Sequence, residues 1–489
     1  MSNPRRFLAF DLGAESGRAV YGVLEEGRLS LEVVHRFRTE GLTMLGVRQW
    51  DVARIYEELC EGLAQCVRLH GPDLDGIGVD TWGVDFGLIA KDGTVLANPR
   101  HYRDKRNEGM QDYAFSMVPR AEVYKATGIQ FLPFNSVYQL LSLKKAGSPL
   151  LDMADSMLLM GDLFGYLLSG RRACEYTNAS TTQMLNPYTC TWDDALLQML
   201  GLPRRLLLDP VPPGTVLGPV RDEICAQTGL RPGVPVIAPG THDTASAVAA
   251  VPVADDEGPW AYLSSGTWSL LGAELDSPHI SEASLAQDFT NEGGVGGKIR
   301  FLKNIFGLWL VQECRRAWER EDGTALDYGT MTADAEKSAP FQALINLDDA
   351  RLIAPDNMPA LIRDMCREGG YPAPETRGAI IRCALESLAM KYRTTLRNLD
   401  KLLGRKTECL HIIGGGVQNR LLCRMTADAC GIPVVTGPIE ATALGNIGVQ
   451  AMAVGALDGL SAMRAVISRS VELDRYEPED TAAWDKLDK

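Results

Sequence analysis

The sequence predicts an α/β protein built as two related halves, each a mixed sheet flanked by helices. Three observations carry this. Its 489 residues exceed the size at which one hydrophobic core stops growing, so two domains are expected. Short apolar runs bounded by Gly-containing turns alternate with longer segments of helical periodicity. The strand, tight turn and strand that open the chain return after residue 260, as a duplicated half requires.

The elements follow in order. Residues 7–10 are apolar and end at Asp11, 12–17 read as a turn, and 18–24 and 29–37 read as further strands around Glu26-Gly27. Such runs are antiparallel hairpins. Residues 51–70 repeat apolar side chains at Ile55, Leu59, Leu63, Cys66 and Val67, an amphipathic helix with Asp51 placed to cap it. Residues 76–80 are a strand, and 84–89 and 94–96 flank a Lys-Asp-Gly turn as another hairpin. Helical pattern and Pro-punctuated loops dominate 103–230, with a stiff connection at 210–214. A strand at 234–239 then runs into Gly240-Thr241-His242-Asp243. In the second half 260–264 is a strand, Ser265-Gly266-Thr267 a turn and 268–272 a strand, with Ser264 standing where the first copy has Asp11. A helix at about 379–403, a strand at 410–413, Gly414-Gly415-Gly416, a helix at about 419–429, a strand at 433–436 and a helix from about 441 complete it. We place the halves at 1–247 and 248–489, with the boundary region at 244–258. The acidic Asp255-Asp256-Glu257 in that region reads as a solvated turn.

Composition narrows the function. The 45% hydrophobic and 23% charged residues are ordinary for a globular protein. A net charge of −14 argues against a nucleic-acid partner, which needs basic surface. It leaves room for a nucleotide held by backbone N–H groups. Eleven Cys without a CxxC pair fit reduced thiols in the cytoplasm, and the sequence leaves open whether Cys366 and Cys383 meet. Asp11 interrupts the apolar N-terminal run, which argues against a signal peptide, and no apolar run is long enough to span a membrane.

Four motifs bear chemistry. Asp11 to Arg18 is a Gly-bearing turn whose N–H groups can form an anion-binding concavity, with a carboxylate beside it able to hold a phosphate-bridging metal. By itself it is also an ordinary hairpin. Gly78 to Phe86 carries two acids and Trp82, the planar and aromatic groups that sugars need, or else a core Trp and turn acids. Gly240 to Ala247 is a strand-to-helix turn in which Asp243 either accepts the proton of an attacking hydroxyl or caps the helix. Gly414-Gly415-Gly416 permits close approach of a flat ligand such as adenine, or makes a tight turn. The P-loop is absent: Glu292 stands where its first Gly belongs, and Ile299 follows Lys298. No GxGxxG fingerprint or HExxH appears, and the six His are isolated.

DLGAESGR, GVDTWGVDF, GTHDTASA, SSGTWSL, LKNIFGLWLVQECRRAW and GGGVQNRLL followed by GPIEATALGN, in this order, resemble the FGGY carbohydrate kinases over residues 7–457. The resemblance implies two actin/ribonuclease-H-like halves around a central cleft, and phosphorylation of a ketose by ATP with Mg²⁺. It places Ala14, Glu15, Ser16, Gly17 and Arg18 at the ATP phosphates and Asp11 on Mg²⁺. It puts Gly83 against the sugar, with His242, Asp243 and Thr244 in contact with it. Asp243 becomes the base for the C1 hydroxyl. Thr267 approaches the phosphates from the second half, Asn304 contacts nucleotide or sugar, Gln312 contacts nucleotide, and Gly415 lies by adenine. Asn304 and Gln312 also read as plain exposed positions on a helix.

Glu15 departs from the family's small hydroxyl residue, and an anion there would repel a triphosphate. Its side chain is therefore expected to point outward or to reach the metal. The implied protein is a cytoplasmic monomer or small homo-oligomer, with a sugar and ATP as its partners and neither nucleic acid nor membrane. A chaperone-like or regulatory nucleotide-binding protein is the rival from another class. It lacks support because Asp11 and Asp243 are both present and only a short segment follows the last helix. A filament-forming protein is favoured by no feature of the sequence.

Overall fold

The computed structural model describes residues 3–254, 257–353 and 355–487, so Asp255 and Asp256 of the acidic turn lie outside the described residues. The chain forms two compact units that are discontinuous in sequence. One contains Met1–Asp255, Glu274–Phe301 and Ala441–Val471; the other contains Asp256–Ala273, Leu302–Glu440 and Glu472–Lys489. A single cut at 247 therefore does not describe them. The reason lies in helix Ala441–Ala453, which is buried on nearly every side, including Ala441, Leu444, Gly445, Ile447 and Val449. A helix apolar all round needs cover all round. It finds that cover against strands Arg5–Leu12 and Gly76–Thr81 of the first unit.

The first unit's sheet runs Thr215–Pro219, Pro235–Ala238, Gly76–Thr81, Arg5–Leu12, Ser16–Glu25, Arg28–Arg38. The second, third and fourth strands are parallel, and the flanking ones antiparallel. Residues 7–12 are all buried, as a strand covered on both faces must be. Helix Val52–His70 forms as its periodicity requires, with Ile55, Leu59, Leu63 and Cys66 buried and Asp51 accepting from the Arg54 N–H at 3.2 Å.

The hairpin expected at 84–96 forms as a short one. Its turn closes, with the Thr94 N–H donating to Asp92 Oδ1 at 3.0 Å, the Ala90 N–H donating to Thr94 O and the Leu96 N–H to Leu88 O at 2.9 Å, and Val95 bridging Ile89. Strand Phe86–Ala90 also pairs with Ala154–Leu159, its longer partner. Pro99 cannot extend a ladder, whereas 154–159 offers a mostly buried apolar strand.

In the second unit the strand order is Ile299–Phe306, Trp268–Leu275, Trp260–Ser265, Cys409–Ile413, Val434–Thr436, Asp474–Tyr476, within a seven-stranded sheet. From Trp268–Leu275 to Asp474–Tyr476 an antiparallel hairpin is followed by two parallel pairings and an antiparallel edge, the succession that runs from Ser16–Glu25 to Thr215–Pro219 in the first sheet. The repeat is thus one of topology, deeper than the turn that suggested it. The described cysteines are free thiols, with the sulfurs of Cys366 and Cys383 3.7 Å apart. Among the described residues no helix is long and apolar enough to cross a membrane.

Candidate active site

The loop after strand Pro235–Ala238 is pinned before it reaches the chemistry. The Thr81 N–H donates to Thr241 O at 2.8 Å. Glu175, fully buried, accepts from Thr241 N (2.9 Å), Thr241 Oγ1 (2.7 Å), Thr177 N (2.9 Å) and Thr177 Oγ1 (2.6 Å). The His242 N–H donates to Thr177 Oγ1 at 3.2 Å. One carboxylate thus ties two segments together and fixes the direction in which His242 and Asp243 leave the strand.

Asp243 is the first residue of helix Asp243–Ala249; His242 occupies the cap position, so Asp243 is not the helix cap. Its Oδ1 accepts from the backbone N–H and the hydroxyl of Thr244, the latter at 2.9 Å. The other side of the carboxylate stays open, with 31% of the side chain exposed. Protein surroundings push its pKa up to about 6, with burial the main cause and the Asp11 charge next, opposed by the Thr244 bonds and Arg300. At neutral pH it is therefore an ionised base with a proton affinity close to the working pH.

His242 is held neutral, first by burial and then by Arg300. Arg300 Nη2 lies 2.9 Å from its Nδ1, and its Nε2 is 3.6 Å from Asp243 Oδ1. A Cβ placed on Gly83 would meet Thr181 Oγ1 at 3.2 Å and His242 Nε2 at 3.4 Å. Gly83 therefore keeps the space before the imidazole free of side chain.

Asp11 pairs in register with Arg18 on one side and Asp80 on the other. Its carboxylate forms an ion pair with Arg18. Asp80 is fully buried; its Oδ2 accepts from Asn446 Nδ2 at 2.6 Å and its Oδ1 has no donor. Burial, then Asp11, holds its pKa well above the usual carboxylate range.

The turn between the first two strands closes with the Gly13 N–H donating to Ser16 O at 2.9 Å. Glu15 and Ser16 are exposed. Ala14 is partly buried beside them. Neither Gly13 nor Gly17 is among the left-handed glycines. Gly17 is required for closeness instead: a Cβ there would sit 2.5 Å from the Phe37 ring. Trp82 is a core residue, its ring 4.0 Å from that of Trp50 and its N–H donating to buried Asp85.

In the second unit, the N–H groups of Gly307 and Trp309 both donate to Thr267 O at 3.2 Å, which anchors the turn. Asn304 lies on strand Ile299–Phe306, so the helical reading of that position is corrected. Gln312 is on helix Trp309–Asp322, its Oε1 buried without a donor. A Cβ on Gly416 would strike the Ser265 hydroxyl, whereas one on Gly415 meets no atom within 4 Å. Gly415 is therefore the open position of the triplet.

The first unit brings together Asp11, Arg18, Gly83, His242, Asp243 and Thr244; Thr267, Asn304, Gln312 and Gly415 belong to the second. Sequence reasoning missed Glu175 and Arg300. Arg300 left a signal, a charge set between the apolar Ile299 and Phe301; Glu175 left none, because Thr241, which supplies two of its bonds, is 66 residues away. Glu175→Gln turns an acceptor into an NH₂ facing N–H donors. It is expected to destabilise the protein by about 2–4 kcal/mol and to loosen the His242–Asp243 loop. Steady-state kinetics should then show a lower kcat with the ATP KM unchanged; an unchanged kcat would mean that the loop holds itself.

Two family models match the chain, described as the N-terminal domain of the FGGY family of carbohydrate kinases over residues 6–250 and its C-terminal domain over 261–454. The rhamnulokinase of Bacteroides thetaiotaomicron is 46% identical over 481 residues, 98% of this chain and 97% of that protein. That of Pectobacterium atrosepticum is 44% identical over 476 residues, 97% of this chain and 93% of that protein. That of Oceanobacillus iheyensis is 38% identical over 469 residues, 96% of this chain and 97% of that protein. Among solved structures, a ligand-bound xylulose kinase from Lactobacillus acidophilus superposes with a TM-score of 0.79 at 17% identity, covering 99% of this chain and 96% of that one. Plasmodium falciparum glycerol kinase with ADP gives 0.73 at 16%, again covering 99% and 96%. These structures share the two-domain, actin/ribonuclease-H-like α/β fold described above.

Proposed function

The chain belongs to the FGGY family of carbohydrate kinases and is an ATP-dependent sugar kinase; from that premise we propose that its sugar is L-rhamnulose, phosphorylated at C1 to L-rhamnulose 1-phosphate. The choice of sugar is supported by the rhamnulokinases at 38–46% identity over nearly the whole chain. The chemistry is carried by one observation: Asp243, pinned by its loop, presents an open carboxylate whose pKa is about 6. Asp243 takes the proton of the C1 hydroxyl as that oxygen attacks the γ-phosphorus. The bond from the γ-phosphorus to the β,γ-bridging oxygen breaks, and ADP leaves. Such transfers need positioning and charge stabilisation more than covalent chemistry.

His242 offers a sugar oxygen a hydrogen bond, Thr244 orients the Asp243 carboxylate, and Gly83 leaves room for the ring. Ala14, Glu15, Ser16, Gly17 and Arg18 line the phosphates, with Thr267 and Gln312 contacting the nucleotide and Gly415 facing adenine. Asn304 serves nucleotide or sugar.

Mg²⁺ fits the first unit's residues. Asp11 and Asp80 are a hard-oxygen set, and the donorless buried Asp80 Oδ1 is a polar atom in want of a partner. Asp11 would hold the ion, which when bound neutralises phosphate charge. The free thiols support a cytoplasmic location, and we read the protein as a monomer or small homo-oligemer without nucleic-acid or membrane partners.

ADP release with Mg·ATP against a panel of ketoses and polyols tests the reading. Turnover with L-rhamnulose alone is expected. Turnover confined to L-fuculose or another ketose would replace the substrate, and none with any sugar would refute the proposal.

A further inference from the structure

Arg300 has no place in the chemistry above, yet it is fully buried and faces the ring that does. Its Nε donates to Gly293 O at 2.9 Å, and its Nη2 lies 3.1 Å from Glu292 Oε2 and 2.9 Å from His242 Nδ1. A guanidinium has five donors, no acceptor, and keeps its proton at any working pH. An imidazole nitrogen 2.9 Å from it must therefore be the bare, accepting one. Glu292 does not compete for a proton on that nitrogen, because its Oε2 is 3.5 Å from Nδ1, beyond a good N–H to oxygen bond. It offsets the Arg300 charge instead. The imidazolium form is excluded on the same ground, since it would set an N–H against a cation. The ring's single proton is left on Nε2, the atom on the Gly83 and Asp243 side.

We infer that Arg300 is a positioning residue that locks His242 as the neutral Nε2–H tautomer, making it an obligate hydrogen-bond donor to a sugar oxygen. The inference rests on the reading of His242 as a sugar contact. A free histidine can offer either a donor or an acceptor at Nε2 by shifting one proton. With Arg300 behind it the ring cannot, and a donor-only or sterically inverted partner loses the contact. Selectivity among ketose hydroxyls or carbonyls then starts one shell behind the residue that touches the sugar.

The wild-type protein supplies the primary test. Ring nitrogen resonances of ¹⁵N-histidine-labelled enzyme, with His242 assigned by its loss in His242→Asn, are expected to show a bare Nδ1 and a protonated Nε2. The pattern should not change between pH 6 and 8. A protonated Nδ1 or an imidazolium overturns the tautomer lock whatever the sugar site proves to be. Arg300→Met should mix the tautomers and raise the sugar KM about 10- to 100-fold with the ATP KM unchanged, and Arg300→Lys, which keeps a cationic donor, should recover part of the loss. Tautomers unmixed in Arg300→Met would overturn the role of Arg300. If His242→Asn leaves the sugar KM unaltered while the resonances are as expected, the sugar-contact reading fails and the lock itself stands.

Discussion

Asp243→Asn is expected to lower kcat by roughly 10²- to 10⁴-fold, the usual range for loss of a general base. Asn keeps the shape of the side chain and its bond from Thr244, so binding should survive: the sugar and ATP KM values should move by less than about threefold. The pH profile gives a sharper check. A base works only when deprotonated, and burial and Asp11 raise this one to about 6 in the free enzyme. Wild-type kcat/KM for the sugar should therefore be flat above that pH and fall about tenfold per unit below it. The Asn variant should lack that limb. The expected shift runs opposite to that of a salt-bridged carboxylate, because here burial and a like charge outweigh the bonds from Thr244. ADP release followed from pH 5 to 8 reads both effects. A wild-type profile without the acidic limb, or an Asn variant within tenfold of wild type, would assign the proton to another group.

Local signals carried the frame of the fold. Helix Val52–His70 was legible because its periodicity and its cap, Asp51, lie in one stretch. The hairpins were legible because Gly and polar turns break runs of β-prone residues, and the second hairpin announced a duplication whose full extent only the strand order shows. Non-local pairing was not legible. Strand Phe86–Ala90 takes a longer partner about 70 residues away besides the short pairing with 94–96, since burial of its apolar face favours the buried strand 154–159. Helix Ala441–Ala453 joined a unit whose first strand begins at residue 5. Within the site, Asp11, His242 and Asp243 could be read because they end strands and open turns. Glu175 could not, because a buried carboxylate is defined by its donors, and those of Thr241 lie 66 residues on. Gly17 serves close approach: its missing Cβ admits the Phe37 ring, a neighbour 20 residues on that no local signal names.

The tightest constraint behind the candidate base is steric. Helices Asp243–Ala249 and Ala441–Ala453 pack against each other within the first unit. A Cβ on Gly445 would lie far inside contact distance of the Ser246 carbonyl, which is backbone and already accepts within its own helix. Gly448, one turn on, also lacks room for a Cβ, but there the obstacle is the thioether of Met463, a flexible side chain. Both substitutions to Ala gain about 1 kcal/mol of helix propensity, so propensity cannot separate them. Overpacking against backbone must displace a helix, at about 3 kcal/mol or more, whereas Met463 can take another rotamer. Gly445→Ala should therefore lower the apparent melting temperature by several degrees and Gly448→Ala by little or nothing, as calorimetry would show. Function should follow the same split. The helix that Gly445→Ala pushes away carries Asp243 at its first position, and a displacement of about 1 Å at a reacting group can cost on the order of 100-fold in rate. Gly445→Ala is thus expected to lose kcat at temperatures where it is still folded. Equal melting temperatures for the two variants would show that the helix pair yields. A destabilised Gly445→Ala with full kcat would show that Asp243 is held by the Glu175 loop alone, and not by the helix it begins.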